Sequence, residues 1–359
     1  MEGNDKKERP RRRSLSSVPK QSTSFKSITD RILIQTSQAA YGVYTHPFPL
    51  HPANRSFEAC GMRAPKAQCG VAATNSRMNM NTPLHGKWVL ITGASSGFGA
   101  AAARAFGSAG ARLLLGARRV AKLEEVAAAA KQAGAIEAHV HALDVGQTAG
   151  VEAFMDWVRP ILARRPATGD PPSSGTLDVL INNAGGAHGV DTIAEGKDAD
   201  WEAMIQSNVL GLLRVTRAAL PLMLNNPGSS IINIGSLAGR VAYEGGSAYC
   251  AAKAGELQIS RALRLELNGT GIRVSSVDPG LAETEFSLVR FKGDAGRAKA
   301  VYEGMQPLTA EDIAETLIWV ASRPAHVNID ELLVKAVDQA AIHKVFRRKP
   351  KPAAITRLD

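Results

Sequence analysis

The chain alternates between short apolar runs and longer stretches in which apolar residues recur every three or four positions. Seven apolar runs, each separated from the next by helical sequence, lie between residue 87 and about residue 345. They are KWVLITGA, ARLLLGA, AHVHALDV, LDVLINNAG, SSIINIGS, IRVSSVDPG and ELLVKAV. Near-continuous apolar strands that alternate with helices are typical of a parallel sheet covered on both faces. The pattern predicts an α/β fold: a single doubly wound domain with a seven-stranded parallel sheet and helices on both faces.

Helical spacing is clear in TAEDIAETLIWVAS, the stretch before the last apolar run. Ile313, Leu317 and Val320 fall on one stripe of a 3.6-residue repeat, which is the pattern of a helix that packs on a core. Thr309 stands just before this stripe, where an N-cap residue is expected. We predict a helix here, followed by the seventh strand.

Residues 1–85, the leader segment, lack a sustained apolar period and are rich in Ser, Pro and Asn. This composition predicts disorder. Arg and Ser enrichment also suits an organelle transit peptide, although acidic residues at the very start argue against one. A third interpretation is that translation starts at Met78 or Met80. The predicted organisation is the leader segment, a folded domain over 86–345 and a flexible basic tail over 346–359.

The formal net charge of +10 is concentrated in the leader segment. The segment holds 13 of the 43 Lys and Arg residues and 5 of the 33 Asp and Glu residues, so the rest has 30 basic against 28 acidic residues. A near-neutral body argues against a nucleic-acid-binding domain. No stretch reaches the roughly 18–20 apolar residues of a membrane helix. Cys60, Cys69 and Cys250 make neither a disulfide framework nor a zinc spacing. We therefore expect no metal, no membrane partner and a cytoplasmic protein, or an organellar one if the leader segment is a transit peptide.

The first apolar run is followed directly by TGASSGFG, a glycine-rich turn that opens a helix. Gly93, Gly97 and Gly99 leave no side chains where a backbone turn approaches a pyrophosphate, and the helix N-terminus supplies N–H donors and positive potential. This placement predicts a Rossmann-type dinucleotide site. The spacing Gly-x-x-x-Gly-x-Gly differs from the common Gly-x-Gly-x-x-Gly.

The end of the second strand reads GARR, which places Arg118 and Arg119 where the adenosine ribose is expected. An NAD enzyme has a carboxylate at this point for the ribose hydroxyls. Guanidinium groups instead match a phosphate bidentately, so the sequence favours NADP. The alternative is that both arginines are solvated residues at a helix start.

Three polar residues are predicted to meet at the carboxyl edge of the sheet. Tyr249 and Lys253, in AYCAAKAGE, are four apart and share a helix face. Ser236 ends the fifth strand, at the edge where ligands bind. A cation about 4 Å from a phenol at an effective dielectric near 20 contributes about 4 kcal/mol, or up to roughly 3 pKa units. With an oxidised nicotinamide, Lys253 would bring Tyr249 towards neutrality as a general acid or base, while Ser236 hydrogen-bonds the substrate oxygen.

Together with INNAG at 181–185 and DPG at 278–280, these motifs resemble the short-chain dehydrogenase/reductase family over about residues 86–345. The resemblance implies a fourth catalytic residue, Asn208, at a local opening of the fourth helix. There it also implies a water that links Lys253 to bulk solvent. A homotetramer built on the fourth and fifth helices and the last strand is a further implication.

The C-terminal stretches PGLAETEFSLVRFKGD and SRPAHVNIDELL are similar to NADP-dependent 3-hydroxy acid dehydrogenases, which oxidise L-serine and L-allo-threonine and reduce malonic semialdehyde. The implied function is hydride transfer between NADP and a small 3-hydroxy acid, such as 3-hydroxypropionate, or the matching semialdehyde. The cofactor contacts that the resemblance implies are Gly93, Ser95, Ser96, Gly97, Phe98, Gly99, Arg118, Arg119, Asp144, Val145, Asn183, Tyr249, Lys253, Pro279, Gly280 and Thr284.

A 3-hydroxy acid carries a carboxylate, which needs a cation beside Ser236 and Tyr249 in the substrate site. Arg290, ten residues beyond Gly280, is the candidate. The alternative is a salt bridge that stabilises its own segment. Two other functions stay open: a carbonyl reductase for bulkier ketones, and a catalytically silent NADP-sensing protein. The second predicts a broken catalytic set, whereas the four residues are all present here.

Overall fold

Seven parallel strands form the central sheet of the protein, whose computed structural model describes residues 83–164 and 175–348. Most of the leader segment and the end of the predicted tail lie outside the described residues. The strands are β1 (Trp88–Thr92), β2 (Arg112–Ala117), β3 (Glu137–Ala142), β4 (Val179–Asn182), β5 (Ser230–Ile234), β6 (Arg273–Pro279) and β7 (Glu331–Val334). Their order is β3-β2-β1-β4-β5-β6-β7, so the predicted seven-stranded parallel sheet is confirmed.

Helices connect the strands and cover the sheet. They are α1 (Gly97–Ser108), α2 (Val120–Ala133), α3 (Thr148–Leu162), α4 (Asp198–Ile205), α5 (Gly211–Ala219), α6 (Ser247–Glu266), α7 (Glu285–Arg290), α8 (Ala295–Ala300) and α9 (Ala310–Ala321). The predicted helix before β7 is α9, and its predicted cap is confirmed. Thr309 accepts a hydrogen bond from the backbone N–H of Asp312, whose carboxylate in turn accepts one from the N–H of Thr309.

Two apolar cores lie on opposite faces of the sheet, which is why the inner strands are buried at every position and largely apolar. One core joins strand residues to α1, α2 and α9, with Phe106, Leu123 and Leu317 fully buried. The other joins the sheet to α3, α5 and α6, with Phe154 and Val215 at its centre. Strands β1, β2, β4, β5 and β6 are buried along their whole length, whereas the edge strands β3 and β7 are partly exposed.

The chain also forms a short antiparallel hairpin that the sequence pattern does not predict. It consists of β8 (Gln339–Ala341) and β9 (Lys344–Val345). The described chain continues three residues past the predicted domain boundary at 345. There Arg348 pairs with Asp338 at 2.6 Å.

The strand order places the ligand crevice. β1 pairs with β2 on one side and with β4 on the other. The chain therefore builds the sheet outwards from β1 to β3 on one side, and then crosses back to place β4 on the other side of β1. In an open parallel sheet, a crevice forms at this switch point, outside the carboxyl ends of the strands. The glycine-rich turn follows β1, and the segment that begins at Asn183 follows β4. Both therefore lie at the crevice.

Candidate active site

A cleft of about 770 Å³ opens at the carboxyl ends of the central strands. This volume lies within the range of about 300–1,000 Å³ that is usual for ligand sites. Most of the predicted cofactor residues line it. They are Gly93, Ser95, Ser96, Gly97, Phe98, Arg118, Arg119, Asp144, Val145, Asn183, Tyr249, Lys253 and Thr284. Residues far apart in sequence are thus brought to one cavity.

The turn after β1 needs its glycines for two different reasons. Gly93 and Gly97 have φ angles of +65° and +52°, a region that side chains other than glycine rarely adopt. Gly99 is needed for space, because a Cβ atom there would lie 2.5 Å from the carbonyl oxygen of Gly93. Asn183 braces the turn from β4, donating through its amide to the carbonyl oxygens of Thr92 at 2.9 Å and Gly93 at 3.1 Å.

Helix α1 begins directly beneath this turn and offers its N-terminus to the cleft. Its N-cap residue, Ser96, makes no side-chain capping bond. The Ser96 hydroxyl instead accepts a hydrogen bond from Arg119 at 2.7 Å. The first N–H groups of a helix have no intrahelical partner, and an anion at this end satisfies them. The turn and α1 therefore form a cradle that fits a phosphate.

Arg118 and Arg119 both line the cleft at the end of β2, as the sequence predicts. Arg119 is half-exposed and spans the mouth of the cleft, since its Nη2 also pairs with Glu285 at 2.9 Å. Glu285 opens α7, the short helix that follows β6. This ion pair links the end of β2 to the segment after β6 across the cleft. It also brings the carboxylate of Glu285 next to the guanidinium of Arg119, which is predicted to bind the ribose phosphate of NADP.

Three predicted cofactor positions, Gly99, Pro279 and Gly280, are outside the lining of the cleft, whereas the two after β3 are part of it. Asp144 and Val145 follow β3 in the cleft wall, where the Asp144 carboxylate accepts a hydrogen bond from the N–H of Gly146 at 2.9 Å. Pro279 and Gly280, at the end of β6, are outside the lining of the cleft. Gly280 packs closely on the β8–β9 hairpin, because a Cβ there would lie 2.2 Å from the side-chain oxygen of Gln339.

Tyr249 lines the cleft, whereas Ser236 is outside its lining, on a turn that packs against the helix of Tyr249. Ser236 follows β5 and caps a single 3-10 turn, its hydroxyl accepting from the N–H of Ala238 at 3.1 Å. Gly239 in this turn approaches the backbone of α6 so closely that a Cβ would lie 2.6 Å from the carbonyl oxygen of Lys253. Tyr249, in the first turn of α6, is 8% exposed. The close approach of Gly239 to Lys253 holds the turn that carries Ser236 against the helix that carries Tyr249.

Lys253 lies one turn further along α6, and it is almost fully buried. Its Nζ donates to the carbonyl oxygen of Ile234 at 2.7 Å and to a carboxylate oxygen of Glu256 at 2.7 Å. Burial acts to lower the pKa of Lys253, but the charges of Glu256 and Tyr249 outweigh burial and leave the pKa raised. Lys253 is therefore a cation at neutral pH in this site.

Asn208 lies in a π turn, Gln206–Leu210, between α4 and α5. The local opening of the helix that the resemblance implies is therefore present in the structure. The Asn208 side chain is buried and bound on both sides, donating to the carbonyl oxygen of Gly186 at 2.9 Å and of Met204 at 2.8 Å. It accepts from the N–H of Gly186 at 3.2 Å. The π turn thus anchors the loop after β4.

Arg290, at the end of α7, lies beside the predicted catalytic tyrosine. Its guanidinium carbon is 5.7 Å from the ring centre of Tyr249 and 5.3 Å from that of Tyr243. Its Nε donates to the carbonyl oxygen of Gly189 at 3.0 Å. Its Nη2 is buried and has no hydrogen-bond partner among the described residues. Arg290 as a whole is only partly buried and is outside the lining of the cleft, and its guanidinium also interacts with Tyr243. One buried N–H group of this cation thus lies close to two tyrosines without a geometric hydrogen bond.

Two residues of this site are absent from the sequence predictions. Glu256 stands three positions after Lys253, a spacing that signals a helical ion pair, although such pairs are usually solvated. Tyr243 stacks on Arg290 from the loop before α6. Burial raises the pKa of Tyr243 to about 12, although Arg290 acts to lower it, so Tyr243 stays a neutral phenol near neutral pH.

Searches for a metal cluster and for a membrane-spanning helix cover residues 83–164 and 175–348. No group of three His, Cys, Asp or Glu side chains there is placed to hold a metal ion. Every helix in the same ranges is too short or too polar to cross a bilayer.

Comparison with known proteins identifies relatives along most of the chain. A family model described as short chain dehydrogenase matches residues 87–293. Sulfoacetaldehyde reductase 2 of Chromohalobacter salexigens is 43% identical over 253 residues, which cover 70% of this chain and 95% of that protein. The NADP-dependent 3-hydroxy acid dehydrogenase of Schizosaccharomyces pombe is 39% identical over 267 residues, which cover 74% of this chain and 98% of that protein.

The solved structures include a similar protein. The closed form of a serine dehydrogenase complexed with NADP+ aligns with a TM-score of 0.63 at 40% sequence identity. The alignment covers 73% of this chain and the whole of that chain. The fold and the sequence of the described domain thus match the same group of enzymes.

Proposed function

This chain belongs to the short-chain dehydrogenase family, and on that premise we propose that it is an NADP-dependent dehydrogenase of small 3-hydroxy acids. Membership makes it an oxidoreductase that acts on a hydroxyl or the matching carbonyl. The partly buried Arg290 beside Tyr249, with its buried Nη2 donor, is the observation that supports an acid substrate. Relatives named for 3-hydroxy acids and serine support the same substrate class.

The cleft fits NADP. Its glycine turn and the N-terminus of α1 suit the pyrophosphate, and the guanidinium groups of Arg118 and Arg119 suit the ribose phosphate. The similar serine dehydrogenase was solved with NADP+, which supports this choice. When bound, NADP supplies the acceptor or donor of the hydride.

Tyr249 is proposed to carry the proton. In the oxidation, its phenolate takes the proton of the substrate hydroxyl while the hydride leaves the carbon that bears it. Lys253, one turn away on the same face of α6, favours the phenolate electrostatically. Ser236, held against α6 by its 3-10 turn, hydrogen-bonds the substrate oxygen and orients it towards Tyr249.

Asn208 is proposed to keep a proton path open behind Lys253. The π turn displaces the backbone from regular α-helical bonding, and π turns are frequent at functional sites. The bonds of Asn208 to Gly186 hold the loop after β4 at a fixed distance from this opening. A water in the opening would connect the Lys253 ammonium to bulk solvent.

Arg290 is proposed to bind the substrate carboxylate. A small substrate buries little apolar area, so one carboxylate–guanidinium pair must supply much of its binding and orientation. The open Nη2 donor and the fixed Nε bond to Gly189 hold the guanidinium ready for such a pair. Its stacking on Tyr249 keeps the carboxylate end of the substrate close to the proton carrier.

A hydroxysulfonate is the second candidate substrate, because the relative named sulfoacetaldehyde reductase is 43% identical. A sulfonate offers the same negative oxygens to Arg290. We further propose, from the family resemblance, that residues 86–345 act as a homotetramer. Light scattering on the purified chain measures the mass of the assembly.

The deciding experiment is a steady-state panel with NADP and NAD. It includes L-serine, L-allo-threonine, 3-hydroxypropionate, the hydroxysulfonate isethionate, a bulky secondary alcohol and n-propanol. We expect the highest kcat/KM with a 3-hydroxy acid and NADP, and no turnover by Tyr249→Phe. Preference for the bulky alcohol would replace the proposal with a carbonyl reductase. Tight NADP binding without turnover of any substrate would indicate a sensor protein.

A further inference from the structure

Helix α6 buries a carboxylate directly against the lysine of the proposed catalytic set. Glu256 is 2% exposed, and its Oε2 accepts from the Nζ of Lys253 at 2.7 Å. The second oxygen, Oε1, is buried without a hydrogen-bond partner among the described residues. Among the described residues, Lys253 is thus the side chain that hydrogen-bonds this carboxylate.

We propose that Glu256 is a positioning residue that holds the Lys253 ammonium and partly cancels its charge at Tyr249. As a result, the phenol of Tyr249 gives up its proton at a higher pH than Lys253 alone would set. This inference rests on the proposed function only in the role that it gives to Tyr249. Its physical content, a phenol titration governed by Glu256, concerns the protein without substrate or cofactor.

The geometry of the pair supports both parts of this role. Two of the three hydrogens of the Lys253 ammonium are taken, one by the Ile234 carbonyl and one by Glu256. These bonds come from different elements, β5 and α6, and they fix the position of Nζ. The third hydrogen stays available towards the cleft that Lys253 lines. A carboxylate in contact with an ammonium also reduces the net charge that any neighbour experiences.

The other charged groups around the pair are Asp278, which is itself compensated, and Arg290, which lies over Tyr249. Asp278, on β6, faces both members of the pair but is bound by Arg240 at 2.7 Å. Arg290 lies over the ring of Tyr249, and Tyr243, which stays neutral, interacts with both. Neutralising Glu256 leaves these groups in place and removes one carboxylate charge, although it also removes a contact that raises the pKa of Lys253.

The distance along α6 gives the magnitude. Tyr249 and Glu256 are seven residues apart, which is about 10 Å at ~1.5 Å per residue, and two turns place them on one face. A unit charge at about 10 Å and an effective dielectric near 20 shifts a pKa by about one unit. Burial raises the pKa of Glu256 to about 7 against the pull of Lys253. The carboxylate is therefore ionised over the alkaline range in which a phenol titrates.

The test is a spectroscopic titration of Tyr249 in the cofactor-free protein. The ultraviolet absorbance of tyrosinate is followed against pH, and the curve of the matching Tyr249→Phe variant is subtracted to isolate this phenol. Glu256→Gln keeps an oxygen acceptor for Lys253 but removes the charge. Glu256→Leu is a second neutral variant, and circular dichroism checks that each is folded. Glu266→Gln, an exposed change of equal charge at the end of α6, is the control.

We expect both neutral variants to lower the midpoint of the Tyr249 titration by about one pH unit, while Glu266→Gln leaves it in place. The alkaline limb of the oxidation rate should move by the same amount in the same direction. An unchanged midpoint would show that Glu256 does not act on the phenol. A raised midpoint would show that Glu256 serves mainly to keep Lys253 protonated, and would overturn the proposal. A lowered midpoint in a protein that oxidises no 3-hydroxy acid would leave this inference standing and refute the proposed function.

Discussion

Replacing Arg290 tests the carboxylate site, because it changes the binding of an acid while the phenol that carries the proton is retained. Arg290→Lys keeps the positive charge but removes the fork of N–H donors and the Nε bond to Gly189. Arg290→Ala removes the charge as well. The backbone N–H of Gly189, which donates to the carbonyl oxygen of Arg290 at 2.9 Å, is preserved in both variants. The loop after β4 therefore keeps one of its two links to α7.

The size of the effect follows from the donors that are lost. A hydrogen bond to a charged group contributes about 1.5–3 kcal/mol, and ~1.4 kcal/mol corresponds to a factor of ten. Loss of one bond of a bidentate pair in Arg290→Lys thus predicts a fall in kcat/KM of roughly 10- to 150-fold. Arg290→Ala loses both bonds and the charge, so a fall of at least about 100-fold is expected. An uncharged alcohol never used the pair and should lose little.

The assay measures kcat and KM for 3-hydroxypropionate and for n-propanol with each variant. Arg297→Lys is the matched control, because Arg297 is an exposed arginine on α8 that lies over the ring of Phe291 and outside the cleft. We expect it to leave both substrates unaffected. If Arg290→Lys lowers the rate with n-propanol as much as with the acid, Arg290 only stabilises α7 and its loop. The carboxylate would then need another cation.

The sheet and the positions of the site could be predicted because both depend on chain order. Strands buried on two faces form near-continuous apolar runs, and a parallel sheet brings their carboxyl ends to one edge. Gly93 after β1, Arg118 after β2, Asp144 after β3, Asn183 after β4 and Ser236 after β5 all follow from that rule. None of these assignments requires a side-chain conformation to be known.

The parts that could not be predicted depend on which side chains meet in space. Glu256 has the spacing of an ordinary surface ion pair, and only the packing of α6 on the sheet reveals that it is buried. The pair of Arg119 with Glu285 joins residues 166 positions apart. Gln339 accepts a hydrogen bond from the N–H of Leu281 at 2.8 Å. It belongs to a hairpin whose strands have three and two residues, which is too short for a periodic pattern to be recognised in the sequence.

Three further predictions address the cofactor, the glycine turn and the network below the site. Replacing Arg118 and Arg119 by Ala should weaken NADP binding, measured by calorimetry, at least about tenfold more than NAD binding; equal losses would exclude them as phosphate ligands. Gly99→Ala inserts a Cβ 2.5 Å from a carbonyl oxygen of the turn. It should destabilise the protein by about 1–3 kcal/mol in urea unfolding and lower NADP affinity, whereas unchanged values would mean that the turn can shift freely. Glu331 is the last test: the hydrogen bond from Arg261, more than any other contact, lowers the pKa of this carboxyl from 4.5 to about 2. Because the pKa is depressed in the folded protein, the stabilisation is complete above pH 4.5 and is lost as the pH falls through about 2. At pH 5 to 6, the free energy of unfolding of Glu331→Gln should therefore be lower than that of the unaltered protein. Near pH 2 the two values should approach each other. A difference that stays constant with pH would show that the ion pair adds no pH-dependent stability.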